Sequence, residues 1–138
     1  MMGQLFEFIV NHWMLCSAFL VLLVVFLKYE AARGGRGVHC QEVVDLINHD
    51  GAVVLDVRPS KDFSKGHITD SINIPHNVLA ERFVELDKYK DHPVILVCAH
   101  GHTTGASGQL LRKHGWTKLY RLTGGINAWE GERLPLAS

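Results

Sequence analysis

One short stretch of the chain concentrates groups that could do chemistry: Cys98-Ala99-His100-Gly101-His102-Thr103-Thr104. A cysteine thiolate is a strong nucleophile at neutral pH, and imidazoles and hydroxyls beside it can hold protons or anions. The residues before it, Val94-Ile95-Leu96-Val97, form an unbroken and mostly β-branched apolar run, which predicts a strand buried on both faces. The residues after it, with Ala106, Leu110 and Leu111 apolar, predict a helix. Strand, tight loop and helix start in that order make an anion cradle, because the loop amides and first helical N–H groups lack intrahelical partners. A thiol there meets the positive end of the helix dipole, so its ionisation is favoured. The plainer reading is an inert cysteine at a strand end. Gly101 and two histidines are poor material for a plain connection, which favours the reactive reading.

Other candidates sort around that loop. Asp56 and Arg58 end an apolar run, Ala52 to Val57, and lie two residues apart, hence on one face. They are expected to pair beside the loop, positioning it and adding positive potential; a purely structural ion pair is the equal alternative. Cys98, His100 and His102 alternate as metal ligands sometimes do, but no fourth ligand is at hand, so no metal or cofactor is expected. His39, His49, His67, His76, His92 and His114 are scattered and read as surface or turn residues. Cys40 could resolve an oxidised Cys98, or it could be incidental to the start of a helix.

The elements that must position these groups follow from pattern. Lys plus Arg and Asp plus Glu both number 14, so formal charge is zero and no nucleic-acid partner is expected. The 3 cysteines, Cys16, Cys40 and Cys98, show no paired spacing, which argues against a disulfide framework and suits a reducing compartment. Trp13 to Leu27 has Ser17 as its sole polar side chain. With Leu5, Phe6, Phe8, Ile9 and Val10 it reaches the ~20 residues of a membrane span. One transmembrane helix over about residues 6–28 is therefore expected, although Asn11 and His12 interrupt it. A cleaved signal peptide fits badly, for want of a basic residue before the apolar run. Lys28, Arg33 and Arg36 follow the span and Glu7 precedes it, which places the N-terminus outside and the rest at the cytoplasmic face of the cell membrane.

Ala31 to Gly37 reads as a flexible basic linker, so that 1–37 form an anchor and 38–138 a single domain. The domain alternates in the α/β manner. Helices are expected at Gln41–Asn48, Ser60–Lys65 (stopped by Gly66), Asn77–Leu86 (capped by Asn77), after Thr104, and from Ile126. Strands are expected at Ala52–Val57, Ile72–Pro75, Val94–Val97 and Lys118–Leu122. Gly124-Gly125 reads as a turn bringing Ile126 and Trp129 onto the core beside the loop.

Three blocks in this order resemble the rhodanese-like sulfurtransferase domain. They are Leu55 to Pro75 (L-D-V-R-P-S-K-D-F-S-K-G-H-I-T-D-S-I-N-I-P), Val97 to Thr104 (V-C-A-H-G-H-T-T) and Leu122 to Trp129 (L-T-G-G-I-N-A-W). Anchor plus single domain is similar to small membrane-tethered bacterial members. The resemblance implies a three-layer α/β/α fold with a parallel five-stranded sheet and Cys98 at the C-terminal end of the central strand, where open α/β sheets bind ligands. It also implies a reaction in which the Cys98 thiolate takes a sulfane sulfur from thiosulfate or a persulfide and passes it, through a Cys98 persulfide, to a thiophilic acceptor. That acceptor is a thiol, or cyanide in vitro. Ala99, His100, Gly101, His102, Thr103 and Thr104 would form the substrate loop, with Asp56 and Arg58 in support. The sequence departs from the family at Thr103, where many members carry Arg. That removes a bidentate anion partner, and Arg112 and Lys113, about 12–15 Å down the helix, cannot replace it. Thr104 likewise stands where cysteine phosphatases need Arg, which argues against that activity. The competing class is a catalytically weak, membrane-tethered binding or redox-sensing module.

Overall fold

The computed structural model describes residues 1–33, 35–101 and 103–138, with the side chains of 30–33 outside the description. The chain divides into two compact units, Met1–Ala32 and Arg33–Ser138.

The first unit is helical: α1 spans Met2–Asn11 and α2 spans Trp13–Arg33. The single helix expected over residues 6–28 is thus two. The break falls at His12 (φ −121°, ψ 35°), where Asn11 and His12, both weak helix formers, interrupt the apolar run. The two axes differ by 87°. Among the described residues no single helix is long and apolar enough to cross a membrane, whereas Met2–Asn11 and Trp13–Tyr29 meet that test together. Their large apolar side chains, from Leu5 to Tyr29, are exposed.

The second unit is a parallel five-stranded sheet in the order β1-β5-β4-β2-β3, with helices on both faces. In chain order its elements are β1 (Arg36–Val38), α3 (Cys40–Asp50), β2 (Val53–Asp56), α4 (Ser60–Lys65), β3 (Ile72–Asn73), α5 (Leu79–Arg82), β4 (Val94–Val97), α6 (Thr104–Lys113), β5 (Leu119–Leu122) and α7 (Gly125–Gly131). β4 is central and fully buried, as its unbroken apolar run requires. Its alternate residues divide the core. Val94, Leu96 and Cys98 face α5, the 3₁₀ stretch after it and α6 through Leu79, Leu86 and Leu111. Ile95 and Val97 face α3 and α7 through Val43, Ile126 and Trp129.

Two expectations change. The linker is taken up from both sides, since α2 runs to Arg33 and β1 begins at Arg36, pairing with Tyr120 of β5; Gly34 lies outside the described residues. A strand of Arg, Gly and Val is held by its backbone ladder, so it carries no apolar alternation to read. The helix expected over Asn77–Leu86 is one α turn, α5, between 3₁₀ stretches at His76–Val78 and Phe83–Tyr89. Asn77 sits inside the first of these and caps nothing.

Candidate active site around Cys98

Every group of the site hangs on the C-terminal edge of the sheet. Asp56 and Val97 are register partners in β2 and β4, and the Val57 N–H donates to the Val97 carbonyl at 2.9 Å. The chain therefore leaves both strands side by side, with Cys98 next to Val57 and Arg58. Beyond Cys98 the loop turns back. Its Gly101 N–H donates to Cys98 Sγ at 2.8 Å, and Gly101 holds φ +89°, which its missing side chain permits.

The loop is braced from behind by the start of α7. The Ile126 N–H donates to the Cys98 carbonyl at 2.8 Å and the Asn127 N–H to the Ala99 carbonyl at 3.2 Å. This approach is so close that a Cβ on Gly125 would lie 2.2 Å from the Cys98 carbonyl oxygen. With those carbonyls engaged away from the sulfur, a backbone N–H is what faces it. A donor in that position suits a sulfur atom carrying negative charge.

The cleft in front of Cys98 has a volume of about 330 Å³ and is lined by Val57, Arg58, Pro59, Asp62, Pro75, His76, Asn77, Cys98, Ala99 and Thr103. Cys98 forms part of its wall and is only 4% exposed. Asp56 and Arg58 do pair, as expected: the guanidinium grips both carboxylate oxygens, at 2.8 Å from Nη2 and 3.0 Å from Nε, and also donates to the Gly66 carbonyl at 2.7 Å. Arg58 lines the cleft with a charge already answered by buried Asp56, while Asp62 adds a carboxylate to the wall. The net positive potential expected from this pair is therefore small.

The other expected loop residues separate. Thr103 is exposed and lines the cleft. Thr104 is fully buried, and its hydroxyl donates to the Gly101 carbonyl at 3.2 Å, so it braces the loop rather than meeting a ligand. His100 is exposed, with Nδ1 2.7 Å from the Asn127 side-chain amide. His102 lies outside the described residues.

Residues 39–132 match the family model of the rhodanese-like domain. The chain belongs to that family. It is 37% identical to the "Uncharacterized protein YibN" of Escherichia coli (strain K12), over 98% of this chain and 97% of that one, so the likeness takes in the N-terminal helices. It is 32% identical to the "Thiosulfate sulfurtransferase GlpE" of Stutzerimonas stutzeri, over 64% of this chain and 79% of that one. Among solved structures, a rhodanese-related protein from Thermoplasma volcanium superposes with a TM-score of 0.67 at 30% identity, covering 74% of this chain and 97% of that one.

Within this rhodanese-like domain the structure adds two residues that the sequence reading passed over. Asn73 donates from Nδ2 to the carbonyls of Asp56 and Arg58, both at 3.0 Å, and so fixes the strand end that presents Arg58. An Asn between two isoleucines was the signal, since a polar group in an apolar strand needs a partner. His76, expected among surface or turn residues, opens the 3₁₀ turn His76–Val78. It is half-buried in the cleft wall, with Nδ1 2.7 Å from Ser107 Oγ. Its position just past a strand end on the ligand side of the sheet was the clue. Cys40, by contrast, belongs to the cluster on the other face of the sheet and cannot resolve Cys98. Among the described residues no group of His, Cys, Asp and Glu is arranged to hold a metal.

Proposed function

We propose that the protein is a sulfurtransferase, membrane-tethered by its N-terminal helices, that carries sulfane sulfur as a Cys98 persulfide. The Cys98 thiolate attacks the outer sulfur of thiosulfate or of a persulfide. A Cys98 Sγ–S bond forms, the donor's bond to that sulfur breaks, and sulfite or a thiolate leaves with the electron pair. A thiol acceptor, or cyanide in vitro, then takes the outer sulfur and returns Cys98 to thiolate. The observation that carries this reading is the 2.8 Å hydrogen bond from Gly101 N–H to Cys98 Sγ at the head of the cleft.

Support for the tether comes from α1 and α2 taken together, the pair that meets the length and composition of a span. Trp13–Tyr29 alone, which is apolar up to Leu27, would rise about 26 Å at 1.5 Å per residue, a little short of the ~30 Å of a bilayer core. α1 carries Gln4, Glu7 and Asn11 among apolar residues, which suits an interfacial helix lying across the end of the span. The basic flank at Lys28, Arg33 and Arg36 supports a cytoplasmic domain.

The test is intact-mass spectrometry of the full chain in detergent after exposure to thiosulfate or a small persulfide, beside Cys98→Ser. A gain of one sulfur on wild type alone, with thiocyanate released on adding cyanide, is the expected result. A second reading, a catalytically weak binding or redox-sensing module, rests on Thr103 in place of a loop Arg and on the slight exposure of Cys98. Absence of sulfur uptake from either donor would select it.

A further inference from the structure

We propose that His76, held by Ser107, is the group that moves the proton when the partner of Cys98 is a thiol. The inference rests on the sulfur-transfer reading above and deepens it by singling out the substrate class that the cleft is built to serve.

His76 follows Pro75 at the end of β3, and its backbone N–H donates to the Val57 carbonyl at 3.0 Å, which fixes it against the strand beside β4. His76 lines the same cleft as Cys98. Nδ1 lies 2.7 Å from Ser107 Oγ, and Ser107, one α turn into α6, is completely buried. A buried hydroxyl engaged with one ring nitrogen fixes the ring plane and leaves Nε2 as the nitrogen a cleft ligand can reach. The hydroxyl both donates and accepts, so it suits the ring in either state: Nδ1–H donates to Oγ when Nε2 must accept a proton. Ser107 also belongs to the helix that follows the Cys98 loop, so the sulfur and the imidazole are referenced to one element.

The reaction has a use for such a group only with some partners. A thiol acceptor must lose its proton before it attacks the outer sulfur of the Cys98 persulfide. Nε2 takes that proton, the acceptor's sulfur–sulfur bond forms, the bond to Cys98 Sγ breaks, and Cys98 leaves as thiolate. When a persulfide is the donor, its thiolate leaves with the electron pair and the same Nε2–H returns the proton, so the cycle balances without another reactant. Sulfite leaving from thiosulfate, and sulfite attacking the persulfide in the reverse step, need no proton moved. The Asp62 carboxylate and the paired Arg58 on the cleft wall fit a thiol or persulfide better than a dianion.

The experiment loads Cys98 with one sulfur in the full chain and follows its discharge by mass spectrometry, with sulfite or with thiols of falling pKa. His76→Gln keeps a hydrogen-bonding amide near Ser107 but carries no proton at neutral pH. The expected result is a thiol-to-sulfite rate ratio lowered roughly tenfold in His76→Gln. An ordinary thiol, of pKa about 8.5, is only a few per cent thiolate at neutral pH, and the base supplies the remainder. The ratio should recover as the acceptor's pKa falls toward the assay pH, and Ser107→Ala should lower it to a smaller extent. An unchanged ratio, or an equal loss with sulfite, ordinary thiols and acidic thiols, would overturn the role of His76 while leaving sulfur transfer intact. A wild-type chain that never takes up sulfur would overturn the sulfur-transfer reading, and this inference with it.

Discussion

Cys98 and Cys40 are almost equally buried, 4% and 2% exposed, on opposite faces of one sheet. Cys98 ends the central strand and receives the Gly101 N–H. Cys40 opens α3, packs among Val38, Val43 and Trp129, and faces Glu132, so its thiol is pushed up from the ordinary value first by burial and then by that carboxylate. Burial alone therefore does not tell a reactive cysteine from an inert one. The group aimed at each sulfur differs in sign, a backbone N–H at Cys98 and a side-chain carboxylate at Cys40. The largest expected effect follows: Cys98→Ser abolishes sulfur uptake measured by intact mass, whereas Cys40→Ser keeps it. Equal loss in both would end the contrast.

The next largest effect concerns what holds the Cys98 side in place. Arg58 is buried in a bidentate pair with Asp56 and also bonds Gly66, so removing its charge strands a buried carboxylate. Arg58→Ala should cost about 3–5 kcal/mol in a urea titration. Sulfur uptake per folded molecule should fall much less, because the guanidinium's charge is already spent on Asp56. A selective loss of uptake at unchanged stability would show instead that Arg58 meets the donor.

Gly125→Ala should rank close behind. Its φ of +63° and a Cβ 2.2 Å from the Cys98 carbonyl oxygen combine strain with overlap, for roughly 3 kcal/mol. Gly105→Ala is the control, since a Cβ there meets nothing within 4 Å and sits in α6. It should stabilise by about 0.5–1 kcal/mol. If Gly125→Ala were as mild as Gly105→Ala, the backbone brace behind the loop would not be rigid.

These contrasts mark what was legible beforehand. The apolar run Val94–Val97 predicted β4 at its observed bounds, and Gly66 ended α4 as expected. Cys98, Thr103 and the Asp56–Arg58 pair could be picked out because their residue types and spacing carry the chemistry. β1 could not, because Arg36 and Gly37 are strand residues by virtue of β5 alone. Nor could the partner of His76. His76 and Ser107 are 31 residues apart and meet only once β3 and α6 are laid against the same sheet edge. Thr104 looked like a ligand by its hydroxyl and its place in the loop, yet the helix start turns it inward to Gly101.

Thr103 offers a moderate effect that sharpens the Cys98 side. It lines the cleft where many family members carry Arg, and the wall otherwise offers Asp62 and a neutralised Arg58. Thr103→Arg should raise uptake from thiosulfate several-fold relative to uptake from a neutral persulfide, by giving the dianion a bidentate partner. The readout is the ratio of the two loading rates by mass, and an unchanged ratio would mean that the loop does not present position 103 to the donor.

The smallest effect lies on the Cys40 side and is read in stability against pH. Because burial and Glu132 raise the Cys40 pKa in the folded chain, the folded state keeps a proton that the unfolded chain releases at the ordinary thiol value. Between those two values the unfolded state binds fewer protons, so stability falls as pH rises. The contribution is complete below the ordinary thiol value of about 8.5 and is lost as pH climbs toward the folded one. Urea midpoints measured across that alkaline window should slope downward in wild type and less so in Cys40→Ala. Glu132→Gln should keep most of the slope, since burial is the larger cause and the carboxylate the lesser. A slope that vanished in Glu132→Gln would reverse that order. It would mean that the carboxylate, and not burial, governs the Cys40 thiol.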